Sequence, residues 1–312
     1  MGSDSDFKVM AEAIPMLEKN NIGYDVRITS AHRTPDEMAL FAKNAKVNGY
    51  DVIIAGAGGA AHLPGMTASI TGVPVLGVPI RTRSMDGIDS VLSILQMPAG
   101  IPVATVGINN AKGAAELVVN MLNRAGANPV GANTVQVRYD EKQVAKEEVD
   151  LVVNALALYG LPAELVRCVE EQEAKEAQKA QLMQKVQAVQ EIDENAHLVG
   201  VINLGDNTLE ELEALVRETP HLPLLTMPIK GNVFADFAGA QESLRSIWQV
   251  SNNTLPLAML AVNGFQNAGI MMAKIAGIHD PKIYQRVVEQ QELLRKQVQE
   301  KDARFARREY PR

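Results

Sequence analysis

A histidine and an arginine stand side by side inside Ser30-Ala31-His32-Arg33-Thr34-Pro35. Histidine is the side chain that takes and returns a proton near neutral pH. Arginine presents a planar fork of donors suited to a phosphate or carboxylate. A second histidine, His62, follows a run of small residues, Gly56-Ala57-Gly58-Gly59-Ala60-Ala61, where backbone amides can approach a ligand closely. A third cluster, Gly2-Ser3-Asp4-Ser5-Asp6, offers hydroxyls, carboxylates and N–H groups at the start of a helical pattern, which is a ready anion site. Each cluster has a plainer reading as well: a capped turn with solvated side chains at 30–35 and at 2–6, a flexible connection at 56–61. Together they make one base, one anion grip and one glycine cradle.

The surrounding pattern says what must position them. Tyr24-Asp25-Val26-Arg27-Ile28 alternates like a half-buried strand, and Thr34 and Pro35 read as the N-cap and first position of the helix that follows. Asp51 to Ala55 is an apolar run of the kind buried on both faces, and the small-residue loop follows it. Pro74 to Pro79 and Pro102 to Val106 read as strands; Ile88 to Gln96 and Ala111 to Leu122 read as helices. Strands alternating with helices predict an α/β fold with a parallel sheet. In such sheets ligands bind beyond the carboxyl ends of the strands, which is where His32, Arg33 and His62 fall.

Composition narrows the partners. The 312-residue chain is 46% hydrophobic and 21% charged with a net charge of −7, which argues against non-specific nucleic-acid binding or an anionic membrane surface. Cys168 is the single cysteine, so no internal disulfide or cysteine metal site is expected, and a cytoplasmic, reducing location is. No apolar run nears membrane-spanning length.

The second half reads as a degenerate tandem copy. Pro223 to Lys230 aligns with Pro74 to Arg81, Glu242 to Gln249 with Asp89 to Gln96, and Leu255 to Val262 with the strand near Ile101. Val199 to Ile202 takes the place of the strand at Val52, and Val135 to Val137 opens the copy. The chemistry is not repeated: Val169-Glu170-Glu171-Gln172 stands in place of Ser30 to Arg33, and Glu210-Glu211 near the place of His62. Between Glu170 and Asn195 lies a stretch of high helix propensity. The expected boundaries are a catalytic domain at 1–128, a repeat without a site at 133–277 and a C-terminal helix at 278–312, which packs on the other half or a neighbouring subunit.

The clusters at Gly2–Asp6, Ser30–Pro35 and Ala55–Met66, with Gln96–Thr105 in addition, resemble the class I PurE family over about residues 1–124. Its members are N5-carboxyaminoimidazole ribonucleotide mutases of purine biosynthesis. The resemblance implies a flavodoxin-like three-layer αβα sandwich, a homo-oligomer with sites between subunits, and no metal or organic cofactor. It implies His32 as general acid and base and His62 lining a carbon dioxide pocket. Ser5, Ser30 and Arg33 would hold a 5′-phosphate, Asp6 the ribose, and Ser3 the carboxyl group; Ala57, Gly58 and Leu63 would surround the base. A tetramer of such fusions would mimic an octamer. Two alternatives stand beside this: a carboxylase of aminoimidazole ribonucleotide that uses carbon dioxide directly, and a non-catalytic nucleotide-binding scaffold. One departure matters. The family has a short apolar strand before Gly2, absent here, so either the start is misread or the sheet has a gap that something else must fill.

Overall fold

The computed structural model describes residues 1–122, 133–168, 197–205, 208–228, 244–245 and 247–306. The expected helix between Glu170 and Asn195, the segment Val169–Gln172 and part of the Glu242–Gln249 match lie outside the described residues.

Helical structure begins with the 3-10 turn Asp4–Asp6, α1 (Phe7–Met10), a second 3-10 turn Ala11–Ala13 and α2 (Ile14–Lys19). Then come α3 (Pro35–Asn44), β1 (Ile53–Gly58), α4 (Leu63–Ala68), β2 (Val75–Ile80), α5 (Ile88–Leu95), β3 (Ala104–Thr105) and α6 (Ala111–Leu122). The second half supplies β4 (Asn133–Tyr139), α7 (Lys146–Leu158), β5 (Ala163–Arg167), β6 (His197–Leu204), α8 (Leu209–Glu218), β7 (Leu224–Met227), β8 (Leu257–Met259), α9 (Phe265–Ala276) and α10 (Pro281–Ala306).

All eight strands form one sheet, in the order β1-β2-β3-β8-β7-β6-β4-β5. Pairing is parallel within each half, and β3 meets β8 antiparallel at Thr105 and Met259. From that junction outward the order β3-β2-β1 is mirrored by β8-β7-β6. The inner strands β2, β7 and β8 are covered on both faces, which is why they are almost wholly apolar without alternation. One face carries Leu76 and Val78 of β2 under residues of α2, α6, α7 and α9, in a single core that also holds Ile202, Leu225 and Met271. The other face packs α3, α4, α5 and α8 through Met38, Leu63, Ile94, Val91 and Leu212. The result is a three-layer, mostly parallel α/β sandwich of flavodoxin-like type. Gly77 lets α5 sit close on β2: a Cβ there would lie 2.4 Å from Ile94 Cγ2.

One expected strand does not form. Residues 24–28 make no ladder, and Val26 and Ile28 are 51% and 57% exposed. A cavity of about 540 Å³ separates them from β1, bounded by Met10, Ile22, Val26, Ile53 and Ile54. An alternating pattern cannot become a strand without a neighbour's backbone to pair with. In the second half that pairing exists, because β4 lies between β5 and β6 and pairs with both.

Of α10, the first turns pack on the molecule through buried Ile283 and Val287, and Leu293, Val298 and Phe305 are exposed. Among the described residues no helix is long and apolar enough to cross a membrane, and no group of three or more His, Cys, Asp or Glu side chains is placed to hold a metal ion.

Candidate functional site

β1 is a buried run ending in Ala57 and Gly58, and the chain must then turn sharply into α4. Gly59 makes the turn with φ of +70°, a conformation that costs a glycine nothing. Its peptide is clamped from α5. Ser90 Oγ accepts from Gly59 N–H at 2.9 Å and donates to the Ile80 carbonyl at 2.7 Å, and Ser93 Oγ donates to the Gly59 carbonyl at 3.1 Å. The loop closes with His62 N–H on the Ala60 carbonyl at 2.9 Å, and His62 becomes the N-cap residue of α4.

The second histidine arrives from the turn before α3. Pro35 occupies the first position of that helix, as expected, but Thr34 Oγ1 makes no cap bond. It reaches back instead, accepting from Ser30 N–H at 2.9 Å and donating to the Ser30 carbonyl at 3.3 Å. The tied turn holds His32 at its outer edge, and His32 Nε2 lies 2.8 Å from His62 Nδ1. One nitrogen of this contact must carry the proton and the other must accept it.

Arg33 is fixed from two sides. Its backbone N–H donates to Ser30 Oγ at 3.2 Å, and Nη2 donates to the Gly2 carbonyl at 3.3 Å. Gly2 N–H in turn donates to the Gly56 carbonyl of β1 at 3.2 Å, so the first residues are stitched to the sheet beside the arginine. At Ser3 the chain forms a capping box: Ser5 N–H donates to Ser3 Oγ at 3.4 Å and Ser3 N–H to Asp6 Oδ2 at 3.2 Å. The box satisfies the Ser3 and Ser5 amides that the sequence reading left open for an anion. Burial pushes the Asp6 carboxyl above its ordinary range, while the Ser3 N–H pulls the other way.

These residues share one cavity of about 250 Å³, lined by Ser3, Ser5, Asp6, Ser30, His32, Arg33, Ala57, Gly58, His62 and Leu63. All ten positions singled out in the sequence are therefore brought together. Gly2, Ala31 and Ala60 also line it. Arg33 is the one Lys or Arg among these lining residues, so an anionic group would be drawn to it, in the cavity that the imidazole pair also lines. The larger cavity beside β1 holds no such pairing of base and anion grip. The reading of the sequence missed Ser90 and Ser93. Their signal was two hydroxyls on an otherwise apolar helix, Ile88-Asp89-Ser90-Val91-Leu92-Ser93-Ile94-Leu95.

Comparison with known proteins covers the same region. The AIR carboxylase family model matches residues 1–144. The chain is 61% identical over 122 residues to the N5-carboxyaminoimidazole ribonucleotide mutase of Thermotoga maritima, covering 39% of this chain and 71% of that one. It is 57% identical over 125 residues to the mutase of Mycobacterium tuberculosis, covering 40% and 72%. It is 53% identical over 150 residues to the chloroplastic phosphoribosylaminoimidazole carboxylase of Vigna aconitifolia, covering 48% of this chain but only 27% of the plant protein. With its imidazole pair, arginine grip and glycine turn on a flavodoxin-like sheet, and with these relatives, the chain belongs to the AIR carboxylase (PurE) family.

Proposed function

We propose that the protein is an N5-carboxyaminoimidazole ribonucleotide mutase, moving a carboxyl group from the exocyclic nitrogen to C4 of the imidazole ring. The observation that carries this is the His32–His62 pair at 2.8 Å facing the same cavity as Arg33. Arg33, with the hydroxyls of Ser5 and Ser30, grips the 5′-phosphate through charge-assisted bonds. Asp6 accepts from the ribose hydroxyls, and Ser3 meets the carboxyl group. Ala57, Gly58 and Leu63 form the wall around the base. His32 gives a proton to the exocyclic nitrogen as its bond to the carboxyl carbon breaks and carbon dioxide leaves. The small-residue turn and His62 keep the gas in place. C4 attacks it, and His32 takes back the C4 proton. Protons and electrons balance over the cycle, and the same imidazole serves both transfers.

The plant relative's name favours a second reading, direct carboxylation of aminoimidazole ribonucleotide. Purified protein offered the N5-carboxylated nucleotide without bicarbonate, and the uncarboxylated nucleotide with it, separates the two. Rapid turnover of the first alone supports the mutase; turnover of the second alone replaces it.

Residues 133–277 form a degenerate copy of the first domain in this reading, supported by the mirrored strand order about the β3–β8 junction. The working unit is a homo-oligomer, a tetramer in the simplest case, supported by the exposed Leu293, Val298 and Phe305 of α10. Light scattering that gives a monomer sinks that part. A cytoplasmic location is proposed on the single-cysteine composition, and fractionation tests it against an organelle.

A further inference from the structure

α9 carries Asn267 and Lys274 seven residues apart, which places both on one face of the helix. That face meets the amino-terminal half at two points. Lys274 is buried and donates from Nζ to the Thr71 carbonyl at 3.0 Å. Asn267 accepts from Gly100 N–H at 2.8 Å and donates to the Pro98 carbonyl at 3.0 Å. From α10, Gln291 Nε2 donates to the Ala68 carbonyl at 3.2 Å and the Thr71 carbonyl at 3.1 Å.

One of these bonds ends on the last residue of α4, Ala68; the others tie the segments beside it, Thr71 just past its end and the Pro98–Gly100 turn next to Met97. The helix runs from its N-cap residue His62 to Ala68. The last carbonyls of a helix have no partner within it and take donors from outside, and a cationic or amide donor there also suits the helix dipole. Gln291 is such a donor at Ala68, and together with Lys274 it ties the Thr71 carbonyl three residues past the helix. The flank of α4 is set from the same source: a Cβ at Gly65 would lie 2.8 Å from Met97 Sδ, so Met97 packs directly on the helix, and Asn267 holds the turn that follows Met97. Gly72, just past the helix, lies against the Tyr284 ring of α10, 2.9 Å from where a Cβ would stand. A short helix with its far end and flank fixed has its near end fixed as well, and that end is His62.

We propose that the carboxy-terminal half is a positioning device for the amino-terminal site: through Lys274, Gln291 and Asn267 it holds α4, and so sets the separation of His62 from His32. The kinetic part of this rests on the mutase reading above; the geometric part does not. Asn267, Lys274 and Gln291 act through α4 and touch no substrate.

The test is the double variant Lys274→Met, Gln291→Leu in the full-length chain, with histidine-ring NMR and steady-state kinetics per folded molecule. Methionine keeps the buried volume of the lysine without its charge, so the fold is retained. The expected result is a kcat lower by about tenfold with KM within about twofold, because Arg33 and the phosphate grip are untouched. The ring signals of His32 and His62 lose the signature of their mutual hydrogen bond. Should the double variant not fold, Gln291→Leu alone, at a half-buried helix position, removes two of the three bonds and shows the same split at smaller size. Unchanged ring signals with parental kcat, or an activity loss matched by the loss of folded protein, overturn the proposal. A parent chain without mutase activity sinks the functional reading alone, and the ring signals still decide this one.

Discussion

His32 Nε2 and His62 Nδ1 lie 2.8 Å apart, with the two rings edge to face and their centroids 4.9 Å from each other. A contact of this length holds one proton between two bases. Two fully protonated rings would lose it, and so would two rings that both presented a lone pair. The pair thus shares one proton beside a cavity that Arg33 also lines, an arrangement matched to a reaction that releases a proton and takes it back.

Replacing that base should be felt in turnover and not in binding. The His32→Asn variant is expected to lose about 10²- to 10⁴-fold in kcat. Its affinity for the product nucleotide by calorimetry should stay close to that of the parent. Turnover within error of the parent would remove His32 from the mechanism.

Arg33 lines the same cavity. Arg33→Met deletes the charge and the donor to Gly2 while keeping much of the length. A charge-assisted bond is worth about 1.5–3 kcal/mol, so KM should rise roughly ten- to a hundredfold with kcat little altered. The same rise with a substrate lacking the 5′-phosphate would show that the arginine grips something else.

The glycine turn depends on Ser90. Ser90→Ala leaves Gly59 N–H and the Ile80 carbonyl without the hydroxyl that joins them, an expected loss of about 1–3 kcal/mol in unfolding free energy. Denaturant titration measures it. A variant as stable as the parent would mean that water replaces the hydroxyl without cost.

Stability should climb with pH on the alkaline side of neutrality. Burial lowers the Lys274 amine from 10.5 to about 7. Between those values the unfolded chain binds a proton that the folded chain does not, so stability rises with pH across that window, by on the order of 2 kcal/mol from pH 7.5 to 9.5. Tyr159 sets the upper limit, because burial raises its hydroxyl from 10.0 to about 12. The unfolded tyrosine ionises first there, and stability falls from about pH 10 upward. Lys274→Met should be the more stable chain at pH 7 and should lack the rising slope. A slope that persists in the variant would assign it to another group.

Much of the site could be read from residue types in order along the chain. His62 follows β1 where the chain turns into α4, as strand-end sites do in parallel sheets; His32 and Arg33 lie in the turn that opens α3, where the expected preceding strand does not form, and ties from Thr34 and Gly2 bring them to the same place. The helix read at Ala111–Leu122 forms as α6, and the strands read at Pro74–Pro79 and Val135–Val137 form as β2 and the longer β4, because period and burial agree there. Three matters were decided only in three dimensions. Whether Tyr24–Ile28 forms a strand depends on a neighbour's backbone, and beside β1 that position is a cavity. Whether Thr34 caps α3 depends on which amide comes within reach, and the Ser30 amide does. How the halves meet depends on the antiparallel edge of β3 and β8 and on the buried Lys274, contacts between residues more than 150 positions apart. Local pattern determines which residues can do chemistry and near which turn they lie; long-range pairing determines which of them is held still.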